Sequence, residues 1–192
     1  MTAREVLRIN GDGGRGSPLI CTVRRLHAWL DGHGVAYCVV GGLAVVRAGW
    51  VRTTHDVDVL VDRDGWAAAP REASIAVAGD SARDRTTGIA IDVLFPGDEW
   101  EMAIPLPEPS QVREYDGDLG AWFIAPAPLV AVKTAVYLSK LTEYGEELAA
   151  KDLTDVVELL RADEGRVEAI LAEAPSAVAP TLRRIWQNVR GR

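Results

Sequence analysis

The sequence predicts an α/β (α+β) protein: a mixed sheet with flanking helices over residues 1–125, followed by a helical region, 126–192, packed on it. Three observations carry this reading. Apolar runs of strand length, bounded by glycine, proline or polar residues, occur at 36–40, 56–61 and 89–97. Apolar residues at helical spacing alternate with those runs in the first part of the chain. Beyond "PAP" at 126–128, read as a joint, only helical periodicity remains.

In order, "PLICTVRRLHAWLDGH" (18–33) spaces Leu19, Val23, Leu26 and Leu30 three or four apart, an amphipathic helix with proline allowed at its start. "AYCVV" (36–40) is a short strand, broken by Gly41-Gly42, and "LAVVRAGW" (43–50) is a short helix. A loop, "VRTTH", leads to the strand Asp56–Val61. Around residues 64–88, "RDGWAAAPREASIAVAG" allows a helix interrupted by Pro70, and "DSARDRTTG" reads as a polar edge or loop. "IAIDVLFPG" (89–97) is a strand stopped by Pro96-Gly97, and "QVREYDGDLGAWFIA" gives two short strands around an Asp/Gly turn. Leu129, Val132, Val136 and Leu138 then begin one helix, and Leu148, Leu153, Val156, Val157 and Leu160 line a second. "VEAILAEA" and "TLRRIWQNV" give two more. There is no internal repeat.

The 192 residues, 48% apolar and 26% charged, suit an ordinary globular chain with one substantial core. A net charge of −7, with its acidic excess in the second half, excludes nucleic-acid binding by overall charge, so any such contact must be local. Cys21 and Cys38 offer neither a disulfide framework nor metal-ligand spacing and read as buried thiols in a reducing cytoplasm. No apolar signal core and no membrane-length apolar run is present, so a soluble cytoplasmic protein without membrane partners is expected.

The chemistry lies in "RTTHDVDVLVD" (52–62). Strand side chains alternate, so Asp56 and Asp58 share one face, roughly 7 Å apart, while Val57, Val59 and Val61 take the other. Two close carboxylates repel unless something positive neutralises them. Magnesium answers this economically: it takes oxygen ligands from a few carboxylates and keeps positions open for phosphate oxygens. Asp92 interrupts a second apolar strand, where a charge is costly without a compensating partner. If the two strands are neighbours, three carboxylates converge. The bland alternative is that the aspartates cap turns or pair with arginines such as Arg52. Gly41-Gly42, after a strand and opening a helix, is either a tight turn or a phosphate cradle with outward N–H groups.

The run "VVGGLAVVRAGWVRTTHDVDVLV" with the later "IDV" resembles the polymerase-β-like nucleotidyltransferase superfamily. Its G-G-x-A and R-x-T-x-D elements look most like the AbiEii-type nucleotidyltransferases, the toxins of type IV toxin–antitoxin systems. The resemblance covers about residues 36–160. It also matches Lys133 in "LVAVKTAVYL" and Lys151, Asp152 and Asp155 in "AAKDLTDVVELL". It implies a nucleotidyltransferase-like fold and transfer of a nucleoside monophosphate from an NTP to a hydroxyl. Asp56, Asp58 and Asp92 would hold one or two Mg2+ ions. Gly41, Gly42 and Thr54 would hold phosphates, and Arg52 would either join them or fix the loop. Lys133 would reach the triphosphate, with Asp152 or Asp155 orienting it or the acceptor. Without the resemblance, Lys133 reads as a solvated lysine and Lys151 with Asp155 as a surface ion pair.

A rival motif, G-x-G-x-x-G at Gly11, Gly13 and Gly16, lacks the acid that a dinucleotide site requires about 20 residues on and reads as an N-terminal loop. Three functions follow from the resemblance and its alternatives. The first is modification of RNA, foremost a tRNA 3′ end, with a cognate antitoxin as partner. The second is modification of a small hydroxylated molecule such as an aminoglycoside or lincosamide, and the third a non-catalytic binding module of the same fold. The acidic surface suits cationic small acceptors.

Overall fold

A computed structural model describes residues 17–98 and 104–191. The glycine-rich segment with Gly11, Gly13 and Gly16 lies outside the described residues. The chain divides into two compact units: Met1–Pro96 with Pro107–Ile124, and Gly97–Leu106 with Ala125–Arg192.

The first unit is built on a seven-stranded mixed sheet in the order β3-β4-β5-β2-β1-β7-β6. Its strands are β1 (Tyr37–Val39), β2 (Asp56–Val61), β3 (Ile75–Ala78), β4 (Ser81–Asp84), β5 (Ala90–Leu94), β6 (Arg113–Asp116) and β7 (Ala121–Ile124). Parallel pairing joins β2 to β5 and β1 to β7, and the remaining neighbours are antiparallel. In β2 and β5, Val57, Val59, Ile91 and Val93 are buried, whereas Asp56, Asp58 and Asp92 on the alternate positions are not. The apolar half of the alternation fixes the strand in the core and the register follows from it.

Helix α1 (Pro18–Leu30) buries Val23, Leu26 and Leu30, three of the four positions that its spacing singles out, with Ile20 rather than half-buried Leu19 in the core, and passes into a 3-10 turn at Asp31–His33. Polar anchors tie it to the sheet. Thr22 Oγ1 donates to Asp84 Oδ2 at 2.9 Å, Arg25 Nε reaches the same oxygen at 2.9 Å, and Trp29 Nε1 donates to the Pro70 carbonyl at 2.8 Å. Helix α2 is Gly41–Arg47, so the two glycines are its first turn rather than a break before it. Ion pairs from Arg47 to Glu114 (2.5 Å) and Asp116 (3.0 Å) fasten α2 to β6.

Residues 64–88 resolve into a short helix and a hairpin. Helix α3 (Arg63–Ala68) starts where the Asp62 carboxylate accepts the Gly65 N–H at 2.7 Å, and ends before Pro70. Strands β3 and β4 follow, joined by Gly79-Asp80 with Gly79 at a φ of 62°. The alternation in β4 is hard to read because one inward residue, Asp84, is charged. The predicted strand 89–97 is shorter, Ala90–Leu94, since Pro96 offers no N–H to a ladder. A one-turn helix, α4 (Pro109–Val112), precedes β6.

The second unit holds α5 (Pro126–Tyr144), α6 (Glu146–Ala162), α7 (Val167–Glu173) and α8 (Ala179–Arg190). "PAP" is the first turn of α5, where missing N–H groups cost nothing. Gly145 joins α5 to α6 in a helical hairpin, and Ala131, Ala135 and Val178 form a cluster with Ile104, Leu138 and Ala174. Among the described residues no helix is long and apolar enough to cross a membrane.

Neither cysteine is in a disulfide. Cys21 is half-buried on α1, whereas Cys38 is buried in β1, and burial raises its thiol to about 12 against a smaller opposing effect of Arg113.

Burial alone would push the Asp84 carboxyl up. The Arg25 guanidinium, the Thr86 and Thr87 N–H groups and the Thr22 hydroxyl outweigh it and hold that carboxyl below the usual range. A depressed carboxylate stabilises the fold above its unfolded pKa, near 4, and that contribution is lost as pH falls through the folded value. Asp84→Asn should therefore cost about 1–3 kcal/mol in urea denaturation at pH 7, with the gap from wild type narrowing below about pH 4. A gap independent of pH would contradict this account.

Candidate active site

The D-x-D carboxylates meet the third acid through strand register. In the β2–β5 ladder Asp58 lies directly opposite Asp92, and Asp56 opposite Ala90. Directly paired residues put their side chains on one face, so Asp58 and Asp92 are neighbours across strands spaced about 4.8 Å apart. Asp56 stands one pleat along the same face. Asp92 is exposed, while Asp56 and Asp58 are partly covered.

The β1–α2 junction packs against this face. Gly41 has a φ of 57°, and a β-carbon there would overlap the Asp58 carboxylate, 2.8 Å from the Asp58 Cβ. Asp58 Oδ2 accepts the Gly42 N–H at 3.4 Å. A β-carbon on Gly42 would fall 2.6 Å from Thr54 Oγ1 and 3.1 Å from an Arg52 guanidinium nitrogen. Thr54 Oγ1 donates to Asp56 Oδ1 at 3.1 Å, and Arg52 Nε donates to the Thr53 carbonyl at 3.3 Å. Gly41, Gly42, Arg52, Thr54, Asp56, Asp58 and Asp92 thus gather around the interior strands β2 and β5 and the β1–α2 junction. Arg52 bonds to its own loop through the Thr53 carbonyl and lies beside Gly42. His55 is exposed beside them.

Oxygen-only donors of this kind suit magnesium chemically. As the side chains lie, no group of three or more His, Cys, Asp or Glu among the described residues is gathered to hold a metal ion. The Thr54 hydroxyl, which donates to Asp56 at the start of β2, is one contact that a cation would have to replace. The backbone placement of the three acids on one face of paired strands fits a carboxylate-bound cation.

Lys133, Asp152 and Asp155 form a cluster of their own within the helical unit. Lys133 is nearly buried, with its Nζ 2.9 Å from Asp155 and 3.4 Å from Asp152. Lys140 Nζ holds the other oxygen of Asp152 at 2.7 Å. Lys133 is therefore not a solvated lysine; Lys151 is exposed, while Asp155 is buried and held by Lys133. Lys140 escaped the sequence reading, although it lies seven residues beyond Lys133 and so on the same helical face. Ser81 escaped as well: it pairs with Asp92 from β4, a strand whose pattern the sequence does not disclose.

No protein-family model matches the chain, and no curated protein matches it. Among solved structures it is similar to one described as an antigenic nucleotidyltransferase-like protein from Paracoccidioides brasiliensis. The two are 17% identical with a TM-score of 0.50, over 75% of this chain and 76% of that one. Together with the seven-stranded mixed sheet and its flanking helices, this likeness defines a nucleotidyltransferase-like fold.

Two stability tests follow. Gly41→Ala should lose about 1–2 kcal/mol from its left-handed backbone alone, plus a contribution from the Asp58 clash. In a double-mutant cycle, Asp58→Ala should recover the carboxylate part of the clash, the 2.8 Å approach to the Asp58 Cβ remaining; strict additivity would contradict the close approach. Lys133→Ala removes an ammonium group that lies 2.9 Å from buried Asp155 and 3.4 Å from buried Asp152, and should cost about 3–5 kcal/mol in chemical denaturation, more than Lys133→Met combined with Asp155→Leu. A loss below about 1 kcal/mol would show that the cluster is no buried ion pair.

Proposed function

We propose that this protein is a nucleotidyltransferase that moves a nucleoside monophosphate from an NTP to a hydroxyl acceptor. The observation that carries the reading is the placement of Asp58 directly opposite Asp92 and against the glycines that open α2. The fold likeness supports it at the level of architecture.

In this proposal Asp56, Asp58 and Asp92 hold one or two Mg2+ ions, with Asp56 released from Thr54. A bound cation there supplies Lewis-acid polarisation of the α-phosphoryl group and neutralises charge on the departing pyrophosphate. The glycine turn admits the triphosphate closely because it has no side chains in the way, and Thr54 and Arg52 donate to its outer phosphates. Asp92, the exposed acid, takes the proton of the attacking hydroxyl. The hydroxyl oxygen bonds to the α-phosphorus as the bond to the bridging oxygen breaks, and pyrophosphate leaves. Within the helical unit the carboxylates of Asp152 and Asp155 flank the Lys133 ammonium group, and its role as a triphosphate ligand rests on the family resemblance alone.

The acceptor we propose first is RNA, foremost a tRNA 3′ end, in the manner of an AbiEii-type toxin acting in the cytoplasm and restrained by an antitoxin. The support is the sequence resemblance in "VVGGLAVVRAGWVRTTHDVDVLV". A small cationic acceptor such as an aminoglycoside is the second reading, favoured by the net charge of −7, which attracts cations and repels polyanions.

Incubation with each α-labelled NTP, Mg2+ and either total tRNA or an aminoglycoside panel separates these readings. Label on RNA is the expected result, label on drug alone supports the second, and no transfer to any acceptor supports a binding module. Asp58→Ala and Asp92→Asn should each lower transfer about 100-fold or more, the scale of removing one group that stabilises transition-state charge. Both should keep the wild-type circular dichroism spectrum. Wild-type rates in either variant would refute the site.

A further inference from the structure

We infer that two copies of this chain associate through the outer edge of β3, in an antiparallel pairing that continues the sheet from one copy into the other. The two edges of the sheet differ in kind. At one end β6 reads Arg-Glu-Tyr-Asp, and Glu114 and Asp116 are engaged by Arg47. At the other end β3 reads Ile-Ala-Val-Ala, with none of the charges, prolines or bulges that keep sheet edges apart. Among the described residues no strand pairs with the outer side of β3.

The hydrogen-bond phase of the hairpin shows which backbone groups face outward. Ala78 and Ser81 close a two-residue turn, and the Arg85 N–H donates to the Ser74 carbonyl at 2.8 Å. The alternation of an antiparallel ladder then turns Ser74, Ala76 and Ala78 toward β4, and Ile75 and Val77 away from it. The Ile75 N–H is already taken by the Glu72 carbonyl at 3.1 Å. Val77 therefore presents both its N–H and its C=O outward, with a side chain 48% exposed.

Beside Val77 is a hollow of about 710 Å3, lined on its apolar side by Trp29, Trp66 and Ile75. It gives a neighbouring strand's side chain somewhere to be buried. Charge selects a second copy as the occupant. Arg71 and Arg85 stand at the start of β3, where Glu72 is already held by the Ser74 N–H (3.1 Å) and hydroxyl (2.9 Å). Exposed Asp80 stands in the turn at its end. Antiparallel pairing brings the start of each strand to the end of its mate, so the basic end of one copy meets the acidic end of the other, twice. A four-residue edge buries little surface, so the dimer forms in the micromolar range.

Analytical ultracentrifugation across that range tests the inference. The mass should rise with concentration from 20.7 kDa toward twice that value. Val77→Pro removes an N–H that the sheet does not use and should give a monomer with an unchanged melting temperature; if that variant loses its fold, Val77→Lys is read in its place. Arg71→Glu should weaken the dimer, and adding Asp80→Arg to it should restore association. A wild-type monomer at every concentration, a dimer indifferent to Val77 substitution, or a charge swap without rescue would each overturn the pairing.

Discussion

The close passage of the β1–α2 junction over the Asp58 carboxylate governs the rest of the first unit. Only a residue without a β-carbon fits at Gly41, because any other would occupy the space of that carboxylate, and the positive φ there selects glycine independently. The chain consequently turns from strand into helix directly above an acid, with the Gly42 N–H 3.4 Å from its oxygen. A carboxylate on a strand beside a buried apolar layer needs polar company, and the junction supplies some of it without a side chain.

Sheet order does the remaining work. Because β2 lies between β1 and β5, its one Asp58 is placed against the glycine junction from the first neighbour and against Asp92 from the second. The buried residues between the acids make this arrangement stiff: a one-residue slip would drive Val57, Val59, Ile91 and Val93 into the exposed face. In the helical unit charge is handled differently. Asp152 and Asp155 are buried and balanced by Lys133 and Lys140 across the α5–α6 hairpin, which fixes the pairing of the two helices whatever else the lysine does.

Much of this is legible in the residues themselves. The strand at Asp56–Val61 and the acid within "IAIDVLF" stand out because charge breaks an apolar run at period two, and the glycine pair announces a turn. That Asp58 and Asp92 oppose each other was a conditional expectation, since no single strand discloses its neighbour. The hairpin at 75–84 was not legible. Its strands are four residues long, alanine-rich, and carry a buried aspartate whose compensation comes from Thr22 and Arg25, roughly sixty residues earlier in the chain. The joint expected at "PAP" is the first turn of a helix because proline at a helix start lacks only hydrogen bonds that no residue there could make. Lys140 was visible in principle, by its helical spacing from Lys133.

The central claim is that Asp58 and Asp92 act together as one cation-binding pair at the glycine junction. Electron paramagnetic resonance of Mn2+, titrated into the protein with a non-hydrolysable NTP analogue, tests this without requiring the acceptor. The account predicts saturable loss of the free Mn2+ signal in the wild type, and its disappearance in both Asp58→Asn and Asp92→Asn while each stays folded. Equal binding by either variant and the wild type would contradict it.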